Sequence, residues 1–256
     1  MTRGKRRDKP AIITTAIIKG GTGKTTTAAA LAQAAKERGF RVLAIDLDAQ
    51  GNLSDYLDGD TDKAGSYEAL HGAGNIAELI QTTPQGIDLL SACADLSTEK
   101  TSAGSAKRLQ NAIEPIKGNY DFIFIDTPPS MSELTFNALQ ASTALLIPLD
   151  ADTASIKGLY QVADIAGQMK ERSAKDLSFI GVLITRYRGR ANVNQFLRDA
   201  IAEAAEKIGA AYLGEIRDGI AVRESQAMRK DLYKYAGKSN PAKDYMDLFE
   251  TIKKKI

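Results

Sequence analysis

Lysines at positions 19 and 24 bracket the run Lys19-Gly20-Gly21-Thr22-Gly23-Lys24-Thr25-Thr26. Two cations set around glycines suit the chemistry of polyphosphates. An ordinary phosphate-binding loop reads Gly, any four residues, then Gly-Lys-Ser/Thr. Its glycines let backbone amides wrap phosphates, its lysine reaches the terminal phosphates, and its hydroxyl holds Mg²⁺. Gly23, Lys24 and Thr25 fit that pattern, but Ile18 stands at the first glycine position and the glycines lie beside a second lysine. Lys24 serves the bound nucleotide. Lys19, at the loop's mouth, points elsewhere, and the phosphates of a partner subunit are the expected target.

Three aspartates extend the constellation. Asp126 ends the apolar run Phe122–Ile125, and a carboxylate there needs a cation or a donor. It is expected to hold a water of Mg²⁺, with Thr25 as the direct hydroxyl ligand. Asp46 and Asp48 sit two apart at the end of another apolar run, so both carboxylates leave an extended chain on one side. Asp48 is the candidate for orienting an attacking water, and Asp46 for assisting Mg²⁺. The amides of Gly20 to Thr26 lie where a strand enters a helix, and the helix dipole favours phosphate there.

The elements that must position these groups alternate between short β-branched runs and helical patterns. That alternation implies an α/β fold: a twisted, mostly parallel sheet flanked by helices on both faces. Strands are expected at 11–18, 42–45, 87–90, 122–125, 144–147, 179–184 and 211–216. Helices are expected at 25–38, 191–208 and 241–255, with short helical patterns near 67–70 and 76–80 in a polar excursion over 51–86. In such sheets ligands sit at the carboxyl ends of strands, and the glycine loop, Asp46–Asp48 and Asp126 all arrive there. The chain reads as a basic, disordered leader over 1–10 followed by a single domain over 11–256.

Composition narrows the classes. The 256 residues are 43% hydrophobic with a net charge of +2, which fits one globular α/β domain. No apolar run approaches the roughly 20 residues that cross a bilayer, and no signal peptide is visible. Cys93 is the single cysteine; it excludes a disulfide framework or a four-cysteine zinc site, and it reads as a small buried apolar side chain. The charge is uneven: +4 over residues 1–10, −7 over 11–150 and +5 over 151–256. Basic segments on a near-neutral chain suggest an anionic polymer or a membrane as partner.

The segments Lys19 to Thr27, Val42 to Asn52 (VLAIDLDAQGN), Tyr120 to Leu139 (YDFIFIDTPPSMSELTFNAL) and Gly181 onward resemble the ParA family of DNA-partitioning ATPases, in the deviant Walker A class of P-loop proteins. The resemblance implies a protein that binds ATP with Mg²⁺, forms a face-to-face homodimer in the ATP state and hydrolyses slowly. It also implies a trans role for Lys19, a hydrolytic role for Asp48, and a switch at Pro128, Pro129 and Ser130 beside the γ-phosphate. Arg186 and Arg217 are the expected adenine contacts. The chain departs from the family pattern at Ala49, where many members carry Pro, at Ile216-Arg217, often Pro-Arg, and after Gly237, where the family's run is richer in Arg. Only eighteen residues precede Lys19, so the DNA-reading domain of some plasmid-borne relatives is not expected.

By the same resemblance, Arg217, Arg223, Arg229, Lys230 and Lys238 fall in a region used for sequence-independent DNA binding, and a ParB-like protein is the implied activating partner. The leader's Arg3, Lys5, Arg6, Arg7 and Lys9 could add a DNA contact. The expected location is cytoplasmic and nucleoid-associated, with no membrane partner, and the cargo stays open between plasmid, chromosome, mobile element and protein organelle. Two alternatives differ in class. One is a membrane-surface positioning ATPase like MinD, whose basic amphipathic end enters lipid, here the segment LFETIKKKI. The other is a non-hydrolysing scaffold, which the intact set Lys24, Thr25, Asp48 and Asp126 disfavours.

Overall fold

The computed structural model describes residues 9–99, 105–189 and 192–256. The basic leader before Lys9 therefore lies outside the described residues. In chain order the elements are β1 (Ala11–Thr15), α1 (Lys24–Glu37), β2 (Val42–Asp46), α2 (Asn52–Tyr56), α3 (Ser66–His71), α4 (Ile76–Leu79), β3 (Gln81–Thr82) and β4 (Asp88–Leu90). There follow α5 (Arg108–Ile113), β5 (Phe122–Asp126), α6 (Glu133–Ala141), β6 (Ala144–Leu149), α7 (Thr153–Arg172) and β7 (Ser178–Tyr187). The closing third holds α8 (Asn192–Lys207), β8 (Tyr212–Arg217), α9 (Ile220–Ala227), α10 (Leu232–Ala236) and α11 (Asn240–Lys255).

The eight strands form one sheet in the order β3-β4-β2-β5-β1-β6-β7-β8. Among the described residues only the short β3–β4 pair is antiparallel. Strands added after β1 go first to one side and later to the other, so the order reverses around β1 and β5. Alternation along each strand sends side chains to opposite faces. Ile13, Ala44, Phe122 and Phe124 join a cluster under α1 and α11. Ile12, Leu43, Ile45 and Ile123 face the helices of the other side, including α5 and α6.

α1 is buried nearly all round, because the sheet lies on one side and α11 on the other. Its run of alanines allows this close approach: Ala28 to Ala30, Ala32, Ala34 and Ala35 are all buried. α11 closes the layer with Tyr245, Leu248, Phe249 and Ile252. Phe249 meets Phe122 edge-on with a centroid distance of 5.2 Å, and Phe40 meets the same ring at 5.1 Å.

Some expectations shift. β1 ends at Thr15 rather than Ile18; Ala16 and Ile17 stay buried, but the chain leaves the ladder to enter the glycine loop. β7 continues to Tyr187, three residues past the expected end. Cys93 is half-buried, not buried. α2, α5, α6, α7, α9 and α10 had no clear sequence signal. α7, with twenty residues, shows why: its inward positions are Ser155, Gly158, Leu159, Val162 and Ala166, correctly spaced but mostly small.

Phe249 is fully buried in the aromatic cluster that fastens α11. Phe249→Ala should destabilise the fold by about 3–5 kcal/mol, read as a lower urea midpoint with an unchanged m-value.

Candidate active site

The loop between β1 and α1 is shaped by two glycines in left-handed conformation, Gly21 (φ 73°) and Gly23 (φ 83°), which a side chain would strain. The first helical bond closes only at Thr27, whose N–H reaches the Gly23 carbonyl at 2.8 Å. The amides before it have no helical acceptor and face outward as anion donors. Thr185 on β7 braces the loop, donating to the Thr22 carbonyl at 2.8 Å. The loop opens on a cavity of about 760 Å³ lined by Gly20, Gly21, Gly23, Lys24, Thr25 and Thr26 at one end.

Lys24 is 6% exposed and its ammonium donates to the Lys19 carbonyl at 3.2 Å. Burial pulls its pKa down, and the charges of Asp126 and Asp48 oppose that. An anion beside it would restore the charged form. Lys19 does not line the cavity. Its ammonium is paired with Asp152, lies 3.3 Å from the Ser155 hydroxyl and 3.8 Å from Asp150, all around the start of α7. The two lysines of the loop therefore serve different places within one subunit.

Asp46 and Asp126 are opposite each other in the β2–β5 ladder, and both are fully buried. Asp46 accepts from the Ser54 amide and hydroxyl, each at 2.8 Å, and from the Asp48 amide at 3.1 Å. Its carboxylate fixes the loop that carries Asp48 and starts α2. Asp126 is less well served. Its Oδ2 is buried with no hydrogen-bond partner, and its Oδ1 accepts from the Thr15 hydroxyl at 3.4 Å. Desolvation, then the charge of Asp46, pushes the Asp126 carboxyl up to about 8; the Thr25 hydroxyl and Lys24 act against this. Desolvation also raises Asp46, to about 6, against the hydrogen bonds from Ser54. An unpaired carboxylate oxygen beside a hydroxyl offers the oxygen donors a hydrated divalent cation takes, and the Lys24 ammonium suits an anion bound with it. The residues fit Mg²⁺.

Asp48 lines the cavity and accepts from the Gln50 amide at 3.1 Å. Of the two prolines after Asp126, Pro129 lines the cavity and Pro128 sits partly buried behind it. Arg186 and Arg217 both line it, each held by an acid: Arg186 by both Asp150 oxygens at 2.6 and 2.7 Å, Arg217 by Asp244 at 2.6 Å. The five basic residues expected on DNA separate into three places. Arg217 and Arg223 are at the cavity rim. Arg229 and Lys230 form the turn after α9, and Lys238 lies exposed before α11.

Sequence reasoning missed Tyr56, Thr185, Gln226 and Tyr245 in the lining, since none stands in a recognisable spacing. Asp150 and Asp152 were findable. They follow the buried strand β6 as Asp126 follows β5, and the same argument about carboxyl ends applies.

The raised carboxyls give a pH dependence with a definite sign. The folded protein keeps protons that the unfolded chain releases near pH 4, so this stabilisation is complete below about pH 4. It is lost as pH rises through about 6 for Asp46 and about 8 for Asp126. In the ligand-free protein Asp126→Asn should remove on the order of a few kcal/mol of that loss. Thermal melts from pH 4.5 to 8.5 should show a flatter profile for the variant than for wild type.

A family model described as an AAA domain matches residues 10–179. The chromosome partitioning protein ParA of Caulobacter vibrioides is 33% identical over 240 residues, covering 90% of this chain and 89% of that protein. A plasmid partition protein from Borrelia burgdorferi bound to AMPPNP superposes with a TM-score of 0.82 at 26% identity, covering 97% of this chain and 100% of that one. Cobyrinic acid a,c-diamide synthase from Mycobacterium smegmatis, with a bound ATP analogue and magnesium, superposes with a TM-score of 0.80 at 28% identity, covering 94% and 93%. With the glycine loop, its two lysines and the strand-end aspartates in place, the chain belongs to the ParA family of P-loop ATPases.

Proposed function

We propose that the protein is a Mg²⁺-dependent ATPase of a partition or positioning system, and that its ATP form pairs as a homodimer and grips DNA without reading sequence. The observation that carries this is the division of labour between the two loop lysines. Lys24 sits over the cavity, while Lys19 is parked on α7 outside it. Lys19, held by Asp152 outside its own site, is then the group that reaches a partner's phosphates across a twofold interface. The bound nucleotide and metal of the solved relatives support the cofactor assignment.

The amides of Gly20 to Thr26 bind the phosphates, and Lys24 neutralises the terminal ones. Thr25 would hold Mg²⁺ directly and Asp126 through a bound water, with Asp46 fixing the loop behind them. When bound, the metal draws charge from the β- and γ-phosphates. Asp48 positions the attacking water and takes its proton at the carboxylate. Pro128 and Pro129 shape the wall beside the γ-phosphate, and Arg186 and Arg217 flank the base. Turnover is slow until a ParB-like partner stimulates it, which keeps the DNA-bound state long-lived. The protein works in the cytoplasm on the nucleoid.

Phosphate neutralisation by Arg217, Arg223, Arg229, Lys230 and Lys238 supplies DNA affinity. One subunit offers one set of these cations, spread over three places, and a pair offers two sets, so ATP converts into affinity by avidity. The lipid-binding alternative loses its main support. The apolar face of α11, from Pro241 to Ile252, is packed on the domain, which leaves little to insert into a bilayer. Among the described residues no helix is long and apolar enough to cross one.

The lysines should separate in mutants. Lys24→Ala should weaken ATP binding by about tenfold to a hundredfold, the loss of a charged hydrogen-bond donor to phosphate. Lys19→Ala should keep nucleotide binding and lose ATP-dependent pairing. Asp48→Ala should accumulate pairs that do not turn over. Titration with a fluorescent ATP and light scattering read these outcomes, and normal pairing by Lys19→Ala would remove the trans assignment.

DNA retention in a gel should appear with ATP, fall with ADP and without nucleotide, and weaken steeply with salt. The log–log slope should approach about −0.9 per phosphate contacted. Equal retardation in all three states would sink the proposed coupling to ATP.

A further inference from the structure

α9 is an eight-residue helix, shorter than the roughly 12–15 residues a helix needs to stand alone. Ser225 is its one buried residue, while Ile220 and Met228 at its ends are 62% and 54% exposed. What holds its inner face to the loop is a side-chain hydrogen bond. The Gln226 amide donates to the Thr26 hydroxyl at 3.0 Å, and both residues line the cavity.

The turn that follows is fastened from below. Arg229 adopts a left-handed conformation (φ 51°), costly for a residue with a side chain. The Gln85 amide donates to its carbonyl at 3.2 Å and to the Tyr56 carbonyl, the end of α2, at 2.7 Å. Gln85 in turn accepts from Gln33 of α1 at 2.8 Å, and Gln33 accepts from the Leu232 amide at 3.2 Å. Both glutamines are buried. The guanidinium of Arg229 adds a pairing with Asp55 of α2 at 2.9 Å. The basic turn Arg229-Lys230 is therefore tied at its base to α1 and α2, while α9 above it meets the phosphate loop through the Gln226–Thr26 bond and α10 through the Tyr235 hydroxyl, which donates to Glu224 at 3.2 Å.

A threonine hydroxyl accepts and donates at once. In accepting from Gln226, Thr26 keeps its own O–H free for the cavity, where a phosphate oxygen would receive it. Each bond in such a chain polarises and strengthens the next. We propose that Gln226 is a positioning residue that aims the Thr26 hydroxyl at the bound phosphates and carries their presence to α9 and its basic turn, within a single subunit. This rests on the nucleotide reading above and adds a regulation to it: site occupancy orders the Arg223–Lys230 segment before any pairing occurs.

Amide hydrogen exchange on the full chain, with and without a saturating non-hydrolysable ATP analogue and Mg²⁺, tests the relay. In wild type, amides 222–230 should exchange about three- to tenfold more slowly when the analogue is bound, the effect of one hydrogen bond. Gln226→Met keeps the length of the side chain without its donor and should lose that slowing. Glu224→Gln, on the outer side of α9, should keep it. Melting curves of the ligand-free variants report the fold, and light scattering run alongside reports pairing. Slowing lost in Gln226→Met while pairing persists supports the relay. No slowing in wild type, equal slowing in Gln226→Met, or slowing lost only together with pairing overturns it. DNA retention measured on the same samples addresses the other reading: no retention in any state, with the exchange result intact, would defeat the DNA assignment and leave the relay standing.

Discussion

Charge held without water is the constraint on which the site depends. Asp46, Asp126 and Lys24 lie at the carboxyl ends of the central strands, and all three are buried. Each is pushed toward its neutral form by desolvation. Such groups persist only where something compensates. Asp46 is compensated internally by Ser54 and the Asp48 amide. Asp126 and Lys24 are compensated only in part; a metal-bound phosphate would complete both, the cation at Asp126 and the anion at Lys24. The fold stores an incomplete electrostatic arrangement and the ligand finishes it.

That incompleteness explains the packing around the site. An open pair of charges would hydrate and lose its bias unless neighbouring elements were rigid. α1 is clamped between the sheet and α11, with Tyr245 and Thr27 within 3.3 Å through their hydroxyls. Thr185 and Thr127 pin the loops from β7 and after β5, donating to the Thr22 and Thr15 carbonyls at 2.8 Å each. Threonine suits these positions because it packs as a β-branched side chain and spends its hydroxyl on a backbone oxygen.

The legible parts of the sequence were those with a physical signature in one dimension. The glycine loop is legible because left-handed backbone requires Gly21 and Gly23. Asp126 is legible because four apolar residues before it mark a buried strand. α7 was not, because its inward face is built from Ser155, Gly158 and Ala166 rather than large apolar residues. Gly158 lies against Ile17, where an added Cβ would come within 3.4 Å, so the close approach itself removes the hydrophobic signal. The partners of Lys19 were hidden for another reason. Asp152 is 133 residues away in sequence, and only the reversal of strand order around β1 brings β6 and α7 to the mouth of the loop.

The closing third behaves differently from the phosphate end, and the cause is visible in its contacts. Arg186, Arg217 and Arg229 are each spent on an acid, Asp150, Asp244 and Asp55. Exposed pairs of this kind contribute little to stability, yet they set where a guanidinium points and how readily it is released. A residue that must exchange a carboxylate for a phosphate is better held by a weak, solvent-screened pair than by a buried one, whose breaking is costly. The basic residues around the cavity are thus kept in place while remaining available, whereas Lys24 and Asp126 are committed by burial. One site combines a fixed end that defines the ligand's charge with a loose end that can answer its arrival.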